Sequence, residues 1–129
     1  MGYGVCLDRA DALIEYNLFD KCRHHIAGTG SAGTSYEACH NIAMKTKAGH
    51  LFDMHGDGHG RAGDRIKIHH NTFKETGYTA VLIRGRPAEG AEIHHNWFFR
   101  KDPKATVRQW GKRTMRVYRN CYGPGRVVK

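Results

Sequence analysis

Cysteine, proline and acidic residues are scarce in this chain, and each scarcity closes off a class of protein. The four cysteines (Cys6, Cys22, Cys39, Cys121) include no C-x-x-C pair and no tight spacing. No disulfide framework is recognisable, and the chain is too long and too cysteine-poor for a stapled mini-protein. Free, partly buried thiols are expected. Three prolines against sixteen glycines point to many turns rather than a disordered linker. An apolar run of about eighteen residues, the length needed to cross a bilayer, is absent. Residues 1–9 lack the basic start, apolar middle and small-residue end of a secretory leader. Acidic side chains number 12 against 21 Lys and Arg, a net charge of +9. Such a field attracts polyanions, whether nucleic acid, acidic polysaccharide or anionic lipid, without choosing among them. With no recognised nucleic-acid module present, nucleic acid is not the expected partner.

What is present is a repeat. The 129 residues fit one domain, and five segments align on asparagine: LIEYNLF (13–19), EACHNIA (37–43), KIHHNTF (67–73), EIHHNWF (92–98) and RVYRNCY (116–122). Asn17, Asn41, Asn71, Asn96 and Asn120 follow one another at intervals of 24, 30, 25 and 24 residues. A small or branched apolar residue precedes each by three (Ile14, Ala38, Ile68, Ile93, Val117). Phe19, Ala43, Phe73, Phe98 and Tyr122 follow by two. A second element recurs as HHIAGTG (24–30), HLFDMHG (50–56), AVLIRG (80–85) and TVRQWG (106–111), short β-prone runs closed by glycine. YGVCLDR (3–9) and RVVK (126–129) read as partial copies at the two ends. Each period should therefore hold at least two short strands, with a third in the variable segment.

Apolar positions alternate, as in Ile66 and Ile68 or Ala91 and Ile93, instead of recurring at helical spacing. Propeller blades need longer units and leucine-rich repeats need regular leucines. The reading is an all-β chain: a parallel β-helix (solenoid) of about five coils of 24–30 residues with an asparagine ladder. Stacked coils lie about 4.8 Å apart, so each asparagine meets its own copy and can both donate to and accept from it. An asparagine also tolerates the left-handed backbone of a sharp corner. Both ends would be open partial coils, which favours self-association by further stacking and a place in a longer β-helix.

The repeated I-x-I-H-H-N-x-F pattern over residues 3–128 resembles the right-handed parallel β-helix of the pectin-lyase-like superfamily. That superfamily includes polysaccharide lyases, glycoside hydrolases, epimerases, phage tailspikes and surface proteins with no known reaction. The resemblance implies an acidic-polysaccharide partner and an extracellular or cell-surface location. It implies either a carbohydrate-active protein or a non-catalytic scaffold or adhesion module of a surface or tail protein.

Function on a narrow solenoid sits on outer faces and loops. Alternation turns Ile26, Phe52, Val81 and Val107 inward. It places Ala27, Asp53, Leu82 and Arg108 on one outward rung and Thr29, His55, Arg84 and Trp110 on the next. Trp110 would stack on a sugar, Arg84 or Arg108 would hold a uronate carboxylate, and His55 would exchange a proton, with Asp53 beside them. A lyase fits better than a hydrolase, since Asp53 and Asp57 are the sole plausible carboxylate pair. The loop FDMHGDGHGRAGD (52–64) brings Asp53, His55, Asp57 and His59 at two-residue steps. These are candidate ligands for a divalent ion such as calcium or zinc, but no established spacing is matched, and a glycine-rich surface loop is the favoured reading. Finally, Cys39, His69 and His94 share one stacked position, and His40, His70 and His95 the next. The first trio has acceptable ligand types. Three ligands on one flat strand rarely make a tetrahedron, so a structural imidazole stack is expected instead.

Overall fold

The computed structural model describes residues 2–47 and 49–123. The chain winds through five coils, each laying one strand on each of three parallel sheets. The first sheet holds β1 (Val5–Leu7), β4 (Ile26–Gly28), β7 (Phe52–Met54), β10 (Val81–Ile83) and β13 (Val107–Gln109). The second holds β2 (Asp11–Glu15), β5 (Ser35–Cys39), β8 (Arg65–His69), β11 (Gly90–His94) and β14 (Arg116–Tyr118). The third holds the two-residue strands β3 (Leu18–Phe19), β6 (Ile42–Ala43), β9 (Thr72–Phe73), β12 (Trp97–Phe98) and β15 (Cys121–Tyr122). A single helical turn, α1 (Pro103–Thr106), is capped by the Asp102 side chain. The expected solenoid is therefore present, and the registers match the alignment: Ile26, Phe52, Val81 and Val107 stand in one row.

The third strand is not in the variable segment, where it was expected. It begins one residue after the asparagine, because the residue before the asparagine has already turned the chain. Tyr16, His40, His70, His95 and Arg119 adopt φ of 57°, 55°, 54°, 54° and 52°. The left-handed corner thus belongs to these residues and not to the asparagines. The asparagines take the bonding role. Asn41 Oδ1 accepts from both the backbone N–H (3.0 Å) and the Nδ2 (3.1 Å) of Asn17. Asn71 Oδ1 does the same for Asn41, Asn96 for Asn71, and Asn120 for Asn96. Each Nδ2 of the last four also donates to a strand carbonyl, of Ile14, Ala38, Ile68 and Ile93 in turn. No corner amide in the interior coils is left unpaired, which is what makes burying them tolerable.

Inside, Ile14, Ala38, Ile68 and Ile93 line the second sheet, and Phe19, Ala43, Phe73 and Phe98 the third. Phe73 stacks on Phe98 at 4.8 Å, and Phe98 on Tyr122 at 5.4 Å. Ala43 would leave a gap in that column. Phe52 of β7 fills it, reaching Phe73 at 4.7 Å and Phe19 at 6.0 Å. Burying each such side chain contributes about 1.5–3 kcal/mol. Of the two partial end copies, residues 3–9 include β1, which pairs fully with β4. The other, 126–129, lies outside the described residues.

Candidate functional site

The outer face of the first sheet departs most from repetition. Ala27, Asp53 and Leu82 point away from the core, as alternation requires, yet all three are buried. Asp53 therefore faces outward, as alternation placed it, but is covered by its neighbours. Arg84 folds back over it, with Nε 3.1 Å from Oδ1 and Nη2 2.6 Å from Oδ2. His55 Nε2 lies 3.2 Å from Oδ2, misaligned for a good hydrogen bond. His24 Nε2 and His50 Nδ1 stand at 3.5 and 3.8 Å. From the core side, the Tyr36 hydroxyl donates to the Asp53 carbonyl at 3.3 Å. Burial alone would raise the Asp53 pKa. The contacts from His50, His55 and Arg84 outweigh it and hold the carboxyl far below the usual range.

His24 and His50 are the members that residue reading missed, although the repeat contains their signal. Counting two residues back from Val5, Ile26 and Phe52 gives Tyr3, His24 and His50, and these rings stack at 5.3 and 5.6 Å. Burial keeps the His24 ring below the ordinary histidine range, with its bond to the His50 carbonyl (2.6 Å) and the Asp53 charge opposing.

Beside this network opens a cleft of about 530 Å³, lined by His55, Arg84, Arg86, Trp110, Lys112 and glycines of three successive turns. Arg84 is held on two sides, by Asp53 at its edge and by Trp110, whose ring centroid is 5.5 Å from the guanidinium carbon. Trp110 remains 52% exposed. The glycines allow the turns to approach. At Gly85, with φ 154°, a Cβ would stand 2.7 Å from the Gly60 carbonyl oxygen, and at Gly56 it would meet that of Arg84 at 2.6 Å. Arg108 continues the row of Asp53 and Leu82, is exposed, and makes no ion pair among the described residues.

The candidate ligands Asp53, His55, Asp57 and His59 are not brought together. Asp57 Oδ1 accepts from the backbone N–H of His59 (2.7 Å) and Arg61 (3.1 Å), so its carboxylate closes the exposed turn and is held below its usual pKa by those bonds. His59 is exposed on that turn. The structure instead groups His24, Asp53 and His55, with donor atoms within 4.8 Å of one another. The Arg84 guanidinium already occupies the cationic position on that carboxylate.

The histidine columns form stacked rows, as expected. His69 and His94 lie 5.1 Å apart at 2°, and His94 continues onto Tyr118 at 4.9 Å. Tyr16, His40, His70 and His95 stack at 5.2, 5.4 and 5.1 Å. Cys39, His69 and His94 do not form a ligand trio; Glu37 takes the place of His94, its Oε1 2.7 Å from His69 Nε2.

The chain matches no protein-family model, no curated protein and no solved structure. Its architecture, a parallel β-solenoid of about five coils, rests on the strand pairing itself.

Proposed function

We propose that this chain is a carbohydrate-active β-solenoid of the pectin-lyase-like kind, binding an acidic polysaccharide in the cleft beside Trp110. The observation that carries the reading is the lining. An exposed indole is flanked by Arg84, Arg86 and Lys112, with no carboxylate among the lining residues. Sugar rings stack on indole faces, and uronate carboxylates pair with guanidinium groups. Arg84 is already engaged with Asp53, so Arg86 and Lys112 are the better carboxylate partners inside the cleft, with the exposed Arg108 outside its lining.

The reaction these residues suit is elimination. His55 turns Nε2 to Asp53, leaving Nδ1 to take the C5 proton of a uronate. The C5–H electrons become the C4–C5 double bond, the C4–O bond breaks, and the departing oxygen takes a proton from water. Hydrolysis would need a protonated carboxylic acid poised to donate. Asp53 and Asp57 are both held ionised below their usual range, which disfavours that alternative. Incubation with pectate, alginate and glycosaminoglycans, with and without calcium, should produce the ultraviolet absorbance of an unsaturated uronate. Binding without that rise would retain the partner and remove the lyase, whereas no binding to any of them would sink the reading.

A non-catalytic scaffold or adhesion module has one observation in its favour. Leu13, Tyr16 and Leu18 of the first coil are 59%, 75% and 69% exposed, with Ile42 beside Leu18. Clustered apolar exposure marks a contact surface. Association that grows with concentration in light scattering, and that Leu18→Lys removes, would support this second reading.

A further inference from the structure

The outer face of the second sheet carries another cluster, independent of the cleft. On β5, Glu37 and Cys39 point outward, while Tyr36 and Ala38 are fully buried in the core. Register sets Cys39 between Glu15 of β2 and His69 of β8. The Cys39 thiol donates to Glu15 Oε2 at 3.7 Å, and His69 Nε2 lies 2.7 Å from Glu37 Oε1. Donor atoms of Glu37, Cys39 and His69 all fall within 4.8 Å of one another. Three donors therefore converge from two neighbouring coils and from two positions along β5, and Glu15 of the first coil adds a carboxylate at the thiol. That arrangement lacks the flatness that counts against a Cys39–His69–His94 trio.

We propose that Glu37, Cys39 and His69, with Glu15 completing the set, form a zinc site that clips the first three coils together. Thiolate and imidazole select zinc over calcium or magnesium, which prefer oxygen alone. Tetrahedral zinc, with bonds of about 2.3 Å to sulfur and about 2.0–2.2 Å to nitrogen and oxygen, places its ligands about 3.3–3.6 Å apart. The thiol–Glu15 spacing of 3.7 Å is just outside that range and needs only a small closure. The His69–Glu37 contact must open by less than about 1 Å to reach that spacing, which a partly exposed glutamate side chain accommodates. His69 Nδ1 lies 2.8 Å from His70 Nδ1. The ring is therefore oriented by a partner on its far nitrogen, as ligating histidines are. The grouping at His24, Asp53 and His55 lacks this opening, because Arg84 Nη2 already sits 2.6 Å from the carboxylate.

Cobalt(II) titration of the chain carrying Cys6→Ser, Cys22→Ser and Cys121→Ser tests the site, with Cys39 the one thiol left. The expected result is one ion per chain, a sulfur-to-cobalt charge-transfer band, visible bands of a tetrahedral ion, and displacement by zinc. Cys39→Ser should abolish the sulfur band. Glu37→Gln, at a partly exposed position, should weaken binding by about tenfold or more. His40→Gln with His95→Gln, which removes two rings of the neighbouring imidazole row but leaves the His70 contact to His69, should leave the band in place. If Cys39→Ser loses its far-ultraviolet dichroism, the Glu37→Gln result decides. Absence of a sulfur band at millimolar cobalt overturns the proposal. So does binding that survives Cys39→Ser but disappears with His40 and His95, since the ion would then sit on the imidazole rows.

Discussion

The asparagine corner and the outer face of the first sheet are built on the same five coils and solve opposite problems. At the corner every coil presents the same amide, so each partner is a copy of the group it serves, and Asn41, Asn71 and Asn96 are buried with their bonds made. On the first sheet the stacked residues Asp8, Thr29, His55, Arg84 and Trp110 all differ. Partners are unlike groups on different coils: the Thr29 hydroxyl donates to Asp8 at 2.6 Å, and Arg84 reaches Asp53. Repetition satisfies polar groups without creating charge. Departure from repetition creates charge, and the fold must then compensate it.

The sharpest way to break the comparison is to remove that compensation. Asp53→Asn keeps the shape of the side chain and leaves Arg84 facing a neutral amide beside three imidazoles. Breaking a buried ion pair by removing one partner costs about 3–5 kcal/mol, measurable by urea denaturation. A loss under about 1 kcal/mol would mean that the pair behaves as a surface bridge and that the two regions differ less than their burial implies. Asn71→Ala should cost less, about 1–3 kcal/mol for buried bonds left unmade. Asn17→Ala, at the exposed first corner, should cost less again. Equal losses at Asn71 and Asn17 would show that burial does not set the value of the corner bond.

The corner was legible in the sequence because periodicity reports positions that every coil uses alike. Ile68, Asn71 and Phe73 could be placed inward or at the turn from spacing alone, and the parallel registers agree. The left-handed residue was misplaced by one, since a histidine at φ of about 55° has no compositional signature to compete with asparagine. The cleft was half legible. Alternation put His55, Arg84 and Trp110 on one rung, but it cannot reveal that Arg84 folds backward. Burial of Asp53 depends on His24 and Arg84 reaching in from the neighbouring coils, with His50 of its own coil beside them. For the same reason Asp57 and His59 looked like continuations of the ligand row, when a glycine-rich turn had already used the Asp57 carboxylate.

Acid should separate the regions further. Burial lowers the pKa of His24 and His25, and burial with neighbouring imidazoles lowers those of His70 and His94. Below about pH 6.5 the unfolded chain binds protons that these folded rings resist. Stability is therefore full above that value and declines as pH falls through the lowered folded values. The corner amides do not titrate and contribute nothing to the slope. Melting temperature followed from pH 8 to 5, about the span over which histidine changes charge, should fall monotonically. His70→Gln with His94→Gln should flatten the curve slightly, because both rings are only partly shielded. A melting temperature that rises on acidification would reverse the sign assigned to these histidines.

The smallest expected effect on stability is also the most informative about function. Trp110 is half exposed, its ring covers the outer side of Arg84, and it makes no contribution to the core. Trp110→Ala should therefore change unfolding free energy by no more than about 0.5 kcal/mol, as surface positions do. The Arg84 guanidinium loses a cation–π contact but keeps both bonds to Asp53. If the cleft holds a sugar ring against the indole, the same variant should weaken binding of an acidic oligosaccharide by about tenfold, the equivalent of about 1.4 kcal/mol. Asn71→Ala should behave in the opposite way, lowering stability while sparing affinity in the fraction that remains folded. Calorimetry on both variants with one oligosaccharide separates the two cases. Unchanged affinity in Trp110→Ala would remove the indole from the site, and the cationic lining alone would then account for any binding.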